Sequence, residues 1–150
     1  MPTIVLLTNI KASIEKVFDL ARNIDLHQQS MLHTNEKAIA GRLSGLIEEG
    51  ETVTWEAKHL FRMRRLTSKI TSMNFPVHFK DVMIEGDFKL IEHDHYFKTI
   101  PHGTEMKDVF VFKAPYGVVG KLAEWLFLEN YLRKLLIKRN AILKSVAELS

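Results

Sequence analysis

Apolar and polar residues alternate with a period of two through the middle of the chain, from about residue 37 to residue 113. Val53, Trp55, Ala57 and His59 fall on one side of an expected strand, and Thr52, Thr54, Glu56 and Lys58 on the other. Residues 66–73 alternate less cleanly but are rich in Thr, Ile and Ser. Phe79, Asp81 and Met83 alternate with His78, Lys80 and Val82. His93, His95 and Phe97 alternate with Glu92, Asp94 and Tyr96, and Met106, Asp108, Phe110 and Phe112 with Glu105, Lys107 and Val109. Turn residues separate these runs at Glu48-Glu49-Gly50-Glu51, Asn74-Phe75-Pro76, Gly86-Asp87 and Pro101-His102-Gly103. Strands on such short connections form an antiparallel meander.

On either side of the meander the period becomes helical. Ser13 can cap a helix from about Ile14 to Ala21, whose Ile14, Val17, Phe18 and Ala21 share a face. A second short helix is expected near Asp25 to Ser30, then an irregular stretch to Asn35. Pro115-Tyr116-Gly117 ends the last strand and opens a helix to about Leu149, some 45 Å long at a rise of about 1.5 Å per residue. Its stripe is Leu128, Leu132, Leu135, Ile142, Val146 and Leu149, widened by Leu122, Leu126, Leu136 and Leu143. Residues 1–8 read as a first strand. A helix this long needs a long apolar partner, which a bent sheet supplies. The expected fold is α+β: a helix-grip, with a curved antiparallel sheet of six or seven strands around the C-terminal helix and two short helices after the first strand.

Composition narrows the picture. The 150 residues suit one domain, and 46% apolar with 26% charged residues suits a globular chain. The absence of cysteine excludes disulfides, thiol catalysis and thiolate metal sites. With no membrane-spanning run and no signal-peptide pattern at residues 1–8, a cytoplasmic location is expected. The net charge of +3 is mild. Basic residues gather at Arg62, Arg64 and Arg65 and at Arg133, Lys134, Lys138 and Arg139, but Glu124, Glu129 and Glu148 accompany the latter. Solvated faces, not a nucleic-acid surface, are expected there. Gly41, Gly45 and Gly50 lack the context of a phosphate loop.

A family pattern overlies this reading. Gly50-x-x-Val53-x-Trp55-x-Ala57-x-His59 is followed by Phe79-x-Asp81-x-x-x-x-Gly86-x-Phe88, His93-x-His95-x-Phe97, Gly103-Thr104-x-Met106-x-Asp108 and Pro115-x-Gly117. In order and spacing the chain resembles small bacterial members of the SRPBCC superfamily, which includes START-like lipid-transfer domains, birch-pollen-allergen-like proteins and polyketide cyclases. Asp87 stands where relatives often carry proline. The resemblance implies a helix-grip fold and a ligand cavity, and leaves the ligand open.

The alternation places His59, Asp81, His95 and Asp108 on strand faces that also carry large apolar residues. Buried charge without a partner is very costly, so these groups must pair, meet water or meet a ligand. Three roles remain open: mutual satisfaction inside the core, orientation of a ligand's polar end, or acid–base catalysis by an Asp–His pair. Metal binding, by these four or by His93 with His95, lacks a diagnostic spacing, and no metal or cofactor is expected. His27, His33, His78 and His102 read as surface residues. Trp55, Phe79, Phe97, Met106 and Phe110, with Leu128, Leu132 and Leu135 of the helix, are the expected apolar wall.

The expected function is binding or carriage of a small hydrophobic or aromatic molecule between sheet and helix. The alternative is a cyclase or dehydratase using an Asp–His pair in the same cavity. A partner-binding module would show a surplus of exposed apolar surface, and none is expected beyond what helix and sheet can bury.

Overall fold

The computed structural model describes residues 2–149; Met1 of the expected first strand and Ser150 lie outside the described residues. β1 (Thr3–Ile10) leads into α1 (Ile14–Ala21), α2 (Ile24–Ser30) and a 3₁₀ turn (Leu32–Thr34). A meander follows: β2 (Lys37–Gly41), β3 (Thr52–His59), β4 (Arg62–Asn74), β5 (His78–Glu85), β6 (Leu90–Ile100) and β7 (Gly103–Lys113). The chain ends in one continuous helical segment: α3 (Gly117–Ala123), a π-helical turn (Glu124–Leu128) and α4 (Glu129–Ala147).

The strands form one antiparallel sheet in the order β1-β7-β6-β5-β4-β3-β2, with β1 returning to pair with β7. The register shifts in β2 between Ala38 and Ala40, and in β4 at Thr67/Ser68 and Ile70/Ser72. Bulges bend a strand and raise its local twist, so these positions help the sheet curve around the helix. This is the expected helix-grip.

Local chemistry sets the helix starts. Ser13 Oγ accepts from Lys16 N at 3.3 Å, and Asn23 Oδ1 accepts from Leu26 N at 3.0 Å. At the start of α3 the chain folds back so closely that a Cβ on Gly120 would overlap the carbonyl oxygen of Pro115.

Two apolar clusters fill the interior. One gathers Phe18 of α1, Phe79, Phe97 and Met106 of the sheet, and Leu143 and Ala147 of α4. The other gathers Ile4, Phe110 and Phe112 with Leu128 and Leu136.

The C-terminal helix departs from the expected stripe. Leu122, Leu126 and Leu149 are exposed, while Leu128, Leu136 and Leu143 are buried. The π turn is the physical reason for the first two. One extra residue in a turn rotates the following helix face by about 100°. Residues before Glu124 therefore point one way and those after Leu128 another. Glu124 is buried, not solvated, and accepts a 2.6 Å hydrogen bond from the Ala114 amide, fixing the turn to the end of β7.

Candidate functional site

A cavity of about 410 Å³ lies between the sheet and the helix. Its wall draws on both apolar clusters: Trp55 and Phe79 from one, Phe110 and Leu128 from the other. Leu132 and Leu135 of α4 complete the apolar side. The size falls within the roughly 300–1,000 Å³ of small-molecule sites.

Adjacent strands bring the polar residues together. Asp81 of β5 stands opposite His93 of β6, and His95 of β6 opposite Asp108 of β7. All four side chains share the concave face, and the two pairs hydrogen-bond diagonally. His95 Nε2 lies 2.7 Å from Asp81 Oδ2, and His93 Nε2 lies 2.7 Å from Asp108 Oδ1. The imidazole rings stack with centroids 3.8 Å apart, and Phe79 stacks on the other side of His95 at 4.1 Å.

Asp108 is fully buried and does not line the cavity. Besides His93 it accepts from Arg139 Nη2 at 3.0 Å and Asn140 Nδ2 at 2.7 Å, both on α4. Burial opposes its ionisation. The Arg139 guanidinium and the His93 hydrogen bond outweigh that and hold the carboxyl far below the usual carboxylate range. A carboxylate, a guanidinium and an amide thus tie α4 to the centre of the sheet.

Asp81 lines the cavity, its side chain 23% exposed, and His95 lines it too. Burial pushes the Asp81 carboxyl up, but the His95 hydrogen bond and the neighbouring positive groups leave it below its ordinary value. An ionised carboxylate only accepts, so His95 donates from Nε2. Burial, then the adjacent His93, lowers the His95 pKa to about 4 against the pull of Asp81. At neutral pH the ring is therefore uncharged, and its Nδ1 is a lone-pair acceptor. That atom is buried without a hydrogen-bond partner, 3.6 Å from Asp108 Oδ1. Among the described residues, Asp81 Oδ1 has no hydrogen-bond partner either.

Two more polar pairs face the same space. His59 Nδ1 lies 2.7 Å from the Tyr131 hydroxyl, and burial lowers the His59 pKa. His27 Nε2 lies 2.7 Å from Glu36 Oε1, with the His27 ring 4.5 Å from that of Trp55. His27 is thus a cavity residue and not a surface one.

Asp81, His93 and His95 each bring a donor atom within 4.8 Å of the others. The two rings stack at 27°, so their in-plane lone pairs run side by side instead of converging on one ion. Arg139, bonded to the same Asp108 that holds His93, adds a fixed positive charge. Each imidazole is committed to one carboxylate in this geometry.

Of the expected wall residues, Trp55, Phe79, Phe110, Leu128, Leu132 and Leu135 line the cavity. Phe97 and Met106 do not: they pack deeper, against Phe18 and its neighbours. Sequence reasoning weighed His93 only as a chelator beside His95 and gave Tyr131, Arg139 and Asn140 no site role. A signal existed for three of them. His93 shares the parity of His95, and Tyr131 and Arg139 stand at helical spacing from Leu128, Leu132 and Leu135. Arg139 is buried, against the expectation of a solvated basic face. Glu36 carried no such signal.

No family model matches the chain, and no curated protein matches it significantly. Solved structures do. The crystal structure of TTHA0849 from Thermus thermophilus superposes with a TM-score of 0.74 at 16% identity, covering 97% of this chain and 99% of that one. Protein CV1439 from Chromobacterium violaceum gives 0.73 at 12% identity, covering 99% and 98%. Ginseng major latex-like protein 151 from Panax ginseng gives 0.70 at 13% identity, covering 99% and 98%. At these identities the likeness is one of fold, and across nearly its whole length the chain has the helix-grip architecture of these proteins.

Proposed function

We propose that the protein binds a small, largely apolar molecule between sheet and helix, with the polar end of that molecule donating to Asp81. The observation that carries this reading is the unpartnered Asp81 Oδ1 in a cavity that also presents Trp55, Phe79, Leu132 and Leu135. An ionised acceptor there favours a ligand hydroxyl, phenol or amine. His59 and Tyr131 offer a second polar contact.

A second reading, proton transfer by Asp81 and His95, is favoured by their 2.7 Å contact beside a void. Their ionisation argues against it. A general base works best with a pKa near the operating pH, whereas the Asp81 carboxyl is lowered and His95 sits at about 4. Binding is the better-supported function.

The test is native mass spectrometry of the purified protein beside analysis of a denaturing extract. A stoichiometric apolar molecule carrying a hydrogen-bond donor is expected. A polar or anionic molecule would contradict the reading. So would an empty protein that also fails to take up the neutral probe N-phenyl-1-naphthylamine.

A further inference from the structure

Two segments that border the cavity carry apolar side chains exposed to solvent. The β3–β4 hairpin turns through Leu60 and Phe61, and Phe61 is 98% exposed. Both residues have positive φ, 51° and 71°. A two-residue turn of this kind is cheap with Asn-Gly and strained with Leu-Phe. Strain at an apolar, fully exposed tip points to a use for that tip. Tyr116, 84% exposed and also at positive φ, opens α3. Leu60, Arg62 and Tyr116 all line the cavity, so hairpin and helix start both border it. From there Val118, Leu122, Trp125 and Leu126 continue an exposed apolar stripe at helical spacing, with Trp125 81% exposed. The absence of surplus apolar surface expected from sequence is therefore corrected: the π turn leaves this stripe uncovered.

Charge decides what covers it. Lys58, Arg62 and Lys121 are exposed, and no described carboxylate pairs with them. Arg64 pairs with Asp87 and Arg65 with Glu56. Of the other acids nearby, Glu129 pairs with Arg133, Glu124 is buried on the Ala114 amide, and Glu85 alone is exposed without an ion pair. The rim is thus apolar and net basic.

We infer that this rim docks on an anionic lipid surface, Phe61 and Trp125 entering the headgroup boundary and Arg62 and Lys121 meeting lipid phosphates. Aromatic tips with interleaved basic residues suit that boundary, where ring and charge are both satisfied. The inference uses the binding reading only to explain why the contact borders the cavity, and docking can fail while cavity binding stands.

The test is flotation with vesicles of phosphatidylcholine alone and of phosphatidylcholine mixed with phosphatidylglycerol. The protein is expected to float with the mixed vesicles at low salt and to be released at high salt. The double variant Phe61→Ser/Trp125→Ser should lose about tenfold or more in bound fraction with its melting temperature unchanged. Arg62→Glu/Lys121→Glu should lose binding to the mixed vesicles selectively. Uptake of N-phenyl-1-naphthylamine without vesicles, measured on each variant, keeps the cavity reading separate. Failure of the native chain to float, or equal flotation of the first double variant, would overturn the inference. So would a dimer dissolved by Trp125→Ser in a protein that ignores vesicles, which would assign the rim to a second copy.

Discussion

Two aspartate–histidine pairs sit side by side on the concave sheet, with the same 2.7 Å contact and opposite situations. In the Asp108–His93 pair only the imidazole reaches the cavity wall. Its carboxylate is fully buried and takes hydrogen bonds from three side chains, two of them on α4. The Asp81–His95 pair opens on the cavity, and its carboxylate has one described partner. Ligand chemistry cannot be read from residue type or pair geometry here. It is set by what fills the remaining acceptor sites: Arg139 and Asn140 for Asp108, and open space for Asp81. Asp108 ties α4 to the sheet through Arg139 and Asn140, and Asp81 presents a carboxylate to the cavity.

The comparison breaks most visibly at Asp108. Asp108→Ala strands Arg139 and His93 without their carboxylate, and removing one partner of a buried pair costs about 3–5 kcal/mol. Urea denaturation should show a loss of that order. Asp81→Asn, at the partly exposed site, should cost under about 1 kcal/mol by the same measurement. Equal losses would erase the distinction between the pairs.

Acid should act on the two pairs in sequence. The His95 pKa is depressed to about 4 in the folded protein, from 6.5. Between those values the unfolded chain binds a proton that the folded one does not. This stability is fully present above about pH 6.5 and is lost as the pH falls toward about 4. Asp108, also depressed, contributes stability present above its unfolded value of 3.8 and lost at still lower pH. Melting temperature against pH should fall over both windows. In His95→Gln the upper window should become shallower, with the remainder left by His59, while the lower persists.

The smallest effect belongs to the second polar contact. Tyr131→Phe removes one hydrogen bond to His59 and should cost about 0.5–1.5 kcal/mol in stability. It should weaken a ligand that uses the Tyr131 hydroxyl and leave N-phenyl-1-naphthylamine nearly unaffected in a fluorescence titration.

Much of the fold was legible because alternation fixes which face a strand buries. The parity of residues 79–83, 93–97 and 106–112 placed Asp81, His95 and Asp108 on the concave side. Alternation carries no depth, so it could not separate Asp81 at the cavity from Asp108, Phe97 and Met106 behind it. The hairpin at Leu60–Phe61 left no turn signal, because its residues are the wrong ones for the turn. The helical stripe was legible from Leu128 to Val146 and misleading before it and at Leu149. A π turn shifts the register without marking the sequence, so Leu122 and Leu126 read as buried. Arg139 and Asn140 lay on the correct face, hidden among basic neighbours that suggested a solvated surface.

The central claim is that the space beside Asp81 receives an apolar ligand. Titrating N-phenyl-1-naphthylamine into the native chain, Leu132→Trp and Asp81→Ala tests it most directly. The account predicts saturable one-to-one binding to the native chain. It predicts near-complete loss in Leu132→Trp, where the indole fills the cavity, at an unchanged melting temperature. Asp81→Ala, which removes the acceptor for the probe's N–H, should bind about tenfold more weakly. Undiminished binding in Leu132→Trp, or none in the native chain, would contradict it.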